Sequence, residues 1–174
     1  MENNEFQLDL HDNEWPFSYI DHDRPAARGI VYDDEGWFYF AKSIRKDVFG
    51  EVTNIETSGG GIDEGETPEE AIVRELKEEL GAEVDVIRKL GVASDYVNVI
   101  HRHNINHYFL CKIKSFGDRD LTESEIKSYH LSTKKYRYEE ALAAYGKCSN
   151  CKIGRLIAAR DVPALVYARE FLEL

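Results

Sequence analysis

Three consecutive glycines, Gly59 to Gly61, stand just ahead of a helix whose two ends are both punctuated, and nothing else constrains the fold of this chain so tightly. Thr67 is an N-cap residue, Pro68 takes the first helical position and Glu70 the third, which completes a capping box. Gly81 stands where a left-handed C-terminal cap belongs. The residues between these caps predict a helix ~20 Å long. Ile72, Val73, Leu76 and Leu80 form an apolar stripe that can pack on a sheet. Of the glutamates Glu69, Glu70, Glu75, Glu78 and Glu79, the last three share an adjacent face, because side chains three and four apart are neighbours. Clustered carboxylates repel one another and raise each other's pKa. An oxygen-preferring divalent cation, Mg²⁺ or Mn²⁺, relieves that cost. A solvated acidic face is the plain alternative.

Around this helix the chain reads mostly as strands. Gly29–Tyr32 and Trp37–Ala41, joined by the turn signal Asp33-Asp34-Glu35-Gly36, predict a β-hairpin. Val48 to Ser58 is a weaker strand that ends at the glycines. Val84 to Val99 reads as one or two strands broken near Gly91, and Asn104 to Ile113 as another. Phe116 to Glu125 reads as a loop, Ile126 to Leu131 as a short strand, and Tyr138 to Tyr145 as a helix. Arg155 to Leu174 has helical period, with Pro163 expected to break or restart it. Residues 1–25 form an N-terminal arm, irregular or a short edge strand, suited to docking on a partner subunit in a homodimer. Residues 26–174 form one domain. Strands on both sides of a central helix, with helices at the end, predict a mixed α/β layer fold.

Charge and cysteine usage narrow the function classes. The chain of 174 residues has 22 basic and 33 acidic side chains, a net charge of −11. That disfavours polymeric nucleic acid as a partner, since a phosphate-tracking surface must be basic. A small anionic ligand stays open where metal ions supply positive charge. No apolar run approaches the ~20 residues that cross a bilayer, so no membrane partner is expected. The acidic start, Met1 to Asp12, is unlike a secretory leader, and three sparse cysteines, Cys111, Cys148 and Cys151, are unlike a disulfide scaffold. The expectation is a cytoplasmic protein.

From Gly60 the chain runs through five residues to Glu66, through seven more to Arg74, and on as Arg74-Glu75-Leu76-Lys77-Glu78-Glu79-Leu80-Gly81-Ala82. This resembles the signature of the Nudix hydrolases, G-x5-E-x7-R-E-U-x-E-E-x-G-U with U a bulky apolar residue. Every fixed position matches, and only Ala82 is smaller than the pattern asks. The resemblance implies an α/β/α sandwich with a mixed sheet. It implies a Mg²⁺- or Mn²⁺-dependent hydrolase whose substrate is a small molecule, a nucleoside diphosphate linked to another moiety or a similar organic diphosphate. By the same resemblance Glu75 and Glu79 are the principal metal ligands, and Glu78 adds a ligand or activates water. Gly59 or Gly60 contributes a carbonyl. Arg74 orients Glu75, Glu66 stabilises the loop, and Glu125, ahead of Glu123, supplies a later carboxylate. Glu75 or Glu78 would accept the proton from the attacking water.

Other signals carry less. Lys42 and Arg45, after the aromatic strand, are candidates to meet a substrate phosphate, with Lys46 beside them; a solvated loop is the alternative. His101, His103 and His107 with Cys148 and Cys151 lack a second pair at zinc spacing, so zinc is set aside. Tyr96, Tyr108 and Phe38 are read as core rather than as base-stacking residues. Ile55 and Ser58 stand where the family often has Trp and Pro, and no side motif marks a subfamily. Two further classes share the fold: an isoprenoid-diphosphate isomerase, which usually carries an altered box and a catalytic cysteine, and a nucleotide-binding regulator without turnover. The intact box argues against the first, and the complete ligand set against the second.

Overall fold

The structure, a computed structural model, describes residues 4–173. Eight strands join one mixed sheet: β1 (Phe6–Leu10), β2 (His22–Tyr32), β3 (Phe38–Asp47), β4 (Gly50–Glu56), β5 (Ser58–Gly61), β6 (Ala82–Val97), β7 (Arg102–Phe116) and β8 (Ser132–Tyr136). The order is β1-β6-β7-β2-β3-β4, with β5 on β2 and β8 on β3. The pairs β1–β6 and β2–β7 are parallel and the others antiparallel. Helix α1 (Pro68–Leu80) covers one face, and α3 (Tyr138–Cys148) with α4 (Lys152–Arg169) covers the other, while α2 (Glu123–Lys127) is a short turn before β8. This is the expected α/β/α sandwich.

The layers follow from side-chain alternation along the central strands. On β2, Ala27 and Val31 face α1, while Ile30 faces the helix pair on the other side. On β7, Phe109 and Cys111 go with α1, and Tyr108 and Leu110 with α3 and α4. Ile72 and Leu76 of α1 are fully buried against this sheet, each contributing roughly 1.5–3 kcal/mol of transfer free energy. The α1 caps form as the sequence predicts. Glu70 N–H donates to Thr67 Oγ1 at 3.1 Å, Thr67 N–H donates to Glu70 Oε2 at 2.9 Å, and Gly81 is left-handed at φ 66°.

Several expectations need correction. The weak strand over Val48–Ser58 is β4, Gly50–Glu56, and the glycines are not its end but part of a separate strand, β5, paired with β2 from Gly29↔Ser58 to Ala26↔Gly61. The stretch read over Val84–Val99 is one strand, β6, up to Val97, with a register shift rather than a break between Lys89 and Gly91, and a 3-10 turn over Asn98–Ile100 ends it. Ile126–Leu131 is not a strand. A second capping box, Thr122 with Glu125, turns Glu123–Lys127 into α2, and the strand follows as β8. Pro163 lies inside an unbroken α4, because buried residues on both sides of it, Arg160 and Asp161 before and Ala164, Leu165 and Ala168 after, anchor both halves.

At the N-terminal end, β1 is an edge strand parallel to β6, and β2 runs through the position between residues 25 and 26. Residues 1–3 of the arm, and residue 174 of the expected last helix, lie outside the described residues. Among the described residues no helix is long and apolar enough to cross a membrane.

Candidate active site

Arg74 ties α1 to the glycine strand. Its Nε and Nη2 donate to the two oxygens of Glu66 at 2.8 and 2.9 Å, a bidentate pair. Nη2 also donates to the Gly61 carbonyl at 3.0 Å, and Nη1 to Glu75 Oε1 at 2.8 Å and Glu78 Oε2 at 3.3 Å. Hydrogen bonds from Arg74 and from the Asp63 N–H hold the Glu66 carboxyl down at about 2. One guanidinium therefore sets the distance between helix and strand.

Two of the three clustered glutamates reach an open cleft of about 320 Å³ beside that strand. Glu79 accepts from the Gly59 N–H at 3.0 Å. Glu79 keeps some exposed surface as a residue, but its carboxyl end lies deep. Burial pushes it up to about 8, helped by Glu56 and Glu75 and opposed by the Gly59 bond. Glu75 is also raised, by burial first, with Arg74 opposing. Glu78 turns to Arg74 and does not line the cleft. The glycines are dictated by contact distances. At Gly59, with φ 146°, a Cβ would sit 2.0 Å from the Ala27 carbonyl oxygen, and at Gly60 it would sit 2.6 Å from the Glu75 carboxyl group.

Among the described residues, no three acidic, histidine or cysteine side chains gather as a ready ligand cluster. The available donors are Glu75, Glu79, Glu125 and the glycine main chain, which line the same cleft. They are hard oxygen donors, and Glu79 has no cation bonded to it while Glu75 has only Arg74 on Oε1, a set that fits Mg²⁺ or Mn²⁺.

The opposite wall is rich in arginine, of which the sequence pointed only to Arg45. Arg28 and Arg160 share Glu56 Oε2 at 3.2 and 3.0 Å. Arg160 Nε also donates to buried Asp161 at 2.9 Å, which accepts from the hydroxyls of Tyr108 and Tyr145 and from the Thr57 N–H. Their attraction keeps the carboxyls of Glu56 and Asp161 below the usual range despite burial. Arg24 and Arg102 line the cleft as well. The available signal was the even spacing of Arg24 and Arg28 on one strand, which puts both on one face.

The remaining candidates divide. Arg45 lines the cleft, paired with Asp47 at 3.0 Å and set over the Phe49 ring. Lys42 does not line it, because β3 continues to Asp47 and alternation sends Ser43 and Arg45 inward and Lys42 away. Glu125 lines it with Oε2 held by the Thr122 main chain and hydroxyl, whereas Glu123 pairs with Lys127 outside. His103 bonds to Ser94 and Asp23, and His101 stacks on Tyr19. Phe38 and Tyr108 are core, while Tyr96 stacks between His11 and His103. No cysteine lines the cleft.

A family model described as NUDIX domain matches residues 22–147. An RNA pyrophosphohydrolase of Hydrogenovibrio crunogenus is 36% identical over 86 residues, 49% of this chain and 48% of that protein. The chain thus spans about half the length of this relative. An ADP-ribose pyrophosphatase of Bacillus subtilis is 28% identical over 153 residues, 86% of this chain and 72% of that protein. Among solved structures, a NUDIX hydrolase from Nitrosomonas europaea superposes with TM-score 0.60 at 16% identity, covering 88% of this chain and 97% of that one. At that identity the likeness speaks for the fold.

Proposed function

The chain belongs to the NUDIX domain family, and from that premise we propose that it is a divalent-metal-dependent hydrolase of diphosphate bonds in nucleotide-derived substrates. The observation that carries this reading is the shared cleft, with Glu75, Glu79 and the glycine strand on one wall and arginines on the other. When bound, Mg²⁺ or Mn²⁺ neutralises charge on the diphosphate and lowers the pKa of the attacking water.

The residues divide the remaining work. Glu75 and Glu79, with the Gly59 or Gly60 carbonyl, would hold the cation. Arg74 fixes Glu75 through Oε1 and leaves Oε2 to take the proton from water. Glu75 suits this role better than Glu78, because Glu78 faces Arg74 outside the cleft. The arginine wall binds and orients the phosphate oxygens. Attack at phosphorus breaks the P–O–P link and leaves two phosphate-ended fragments. The lack of a cysteine in the cleft speaks against an isomerase that uses one. A net charge of −11 suits a small ligand, and an RNA 5′ end needs only its terminal phosphates to enter.

The test is turnover in ¹⁸O-labelled water with Mg²⁺, Mn²⁺ or chelator. Label on phosphorus and no turnover in chelator are expected. Label on carbon, or steady turnover in excess chelator, overturns the reading.

A further inference from the structure

Arg24 and Arg102 stand on neighbouring strands of the cleft wall, on the same face and two residues out of step, since His22 pairs with Arg102 and Arg24 with Asn104. Arg24 reaches the glycine strand, where its Nη2 lies 3.8 Å from the point a Cβ on Gly61 would occupy. The other cleft arginines have acids bonded to them: Glu56 to Arg28, Glu56 and Asp161 to Arg160, and Asp47 to Arg45. Arg24 and Arg102 have no hydrogen-bond or ion-pair partner among the described residues, and the Arg102 Nε is buried with no acceptor. Asp95, the acid that helps Arg102 electrostatically, spends its oxygens on Asn104 at 3.1 Å and Asn106 at 2.6 Å. Burial first, then repulsion from neighbouring arginines, lowers both guanidinium pKa values, that of Arg102 to about 10, with Glu56 and Glu75 opposing at Arg24 and Asp95 at Arg102. Two partly buried cations with no acid bonded to them destabilise the fold unless they serve a ligand.

We propose that Arg24 and Arg102 form a subsite for the terminal phosphoryl group of a substrate ending in a phosphate monoester, the chemistry of a 5′-triphosphate, rather than for a diphosphate esterified at both ends. The inference rests on the hydrolase reading and narrows its substrate. A diphosphate esterified at both ends carries about one negative charge per phosphorus, whereas a monoester end carries ~1.5 to 2. The extra charge matches two guanidinium groups that have no acid bonded to them, and their planar forks suit phosphate oxygens. Free nucleoside triphosphates and the 5′-triphosphate end of RNA share this chemistry.

Two measurements test the subsite on the full chain. In chelator, calorimetric titration with inorganic tripolyphosphate should show binding that Arg24→Met and Arg102→Met each weaken about ten-fold or more. With Mg²⁺, Arg102→Met should raise KM about ten-fold for a nucleoside triphosphate, for a 5′-triphosphate oligoribonucleotide, or for both. Its kcat/KM for a nucleoside diphosphate sugar should fall too, but at least about five-fold less than for those substrates. The arm with the larger loss identifies the source. The melting temperature of Arg102→Met should hold or rise, because the variant removes an unpaired buried charge. Unchanged tripolyphosphate binding, equal losses on all three substrates, or a fall in melting temperature overturns the subsite. If the wild-type chain hydrolyses none of the three, the hydrolase reading fails, while the tripolyphosphate titration still decides the arginine pair.

Discussion

Alanine at two adjacent glycines should separate folding from chemistry. At Gly59 a Cβ would run into the Ala27–Arg28 peptide of β2, at 2.0 Å from the Ala27 oxygen, 2.9 Å from the Arg28 Cα and 3.0 Å from the Ala27 carbonyl carbon. Backbone cannot rotate away, so the β2–β5 ladder must shift, an overlap costing about 2 kcal/mol. The φ of 146° adds about 1–3 kcal/mol for any residue with a Cβ. The sum, ~4 kcal/mol, lowers Tm by roughly 8–16 °C in a chain of this size. Gly60→Ala meets only the Glu75 carboxyl group at 2.6 Å. Ordinary contact is about 3.5 Å, so that flexible end moves by about 1 Å, with little loss of stability. A shift of that size at a reacting group costs about 10²-fold in rate. Differential scanning calorimetry and phosphate release with Mg²⁺ read the two effects. If Gly60→Ala keeps full turnover, the position of Glu75 does not matter and the proposed role for it is wrong. If Gly59→Ala melts with the wild type, the close approach to β2 is not as described.

Three further outcomes follow from the capped helix and its carboxylates. Thr67→Ala should cost ~1 kcal/mol through the lost N-cap bond and should slow turnover, because the helix start anchors the glycine strand; unchanged unfolding in urea would remove Thr67 from that role. In chelator, Glu79 keeps its proton to about pH 8 when folded and releases it near 4.3 when unfolded. Native protein then binds the extra proton, so stability should fall as pH rises from about 4.5 to 8, by at most ~1.4 kcal/mol per pH unit. Glu79→Gln or added Mn²⁺ should flatten that fall, and a wild-type profile that rises over the range would refute it. Glu66 behaves oppositely: the stability that comes from its low carboxyl is present above the ordinary range and is lost as pH falls toward 2. Arg74→Met should therefore flatten the acid limb of the melting profile, and an acid limb as steep as the wild type's would count against the bidentate pair.

Helix α1 was legible in full because its signals are local. Thr67, Pro68, Glu70 and Gly81 act on backbone groups within one turn of themselves, and the apolar period places Ile72 and Leu76 on the sheet without knowledge of its strands. The neighbouring carboxylates and the resemblance they carry are equally local. Locality also produced the errors. A proline in helical sequence reads as a break until Ala164, Leu165 and Ala168 are seen buried beyond it. Ile126–Leu131 reads as a strand until Thr122 and Glu125 are seen to cap one another.

Local sequence signals suffice for the α1 cassette and for the family to which the chain is similar. Tertiary structure alone decided which glutamates enter the cleft and what faces them. Glu78 is lost to Arg74 and Lys42 to the pleat of β3, while Arg24 and Arg102, far apart in sequence, become neighbours through the parallel pairing of β2 with β7. The physical reason is range. Caps and helical period act over a few residues, but a charge is neutral or unpaired according to strand register, and register is set by contacts between distant segments.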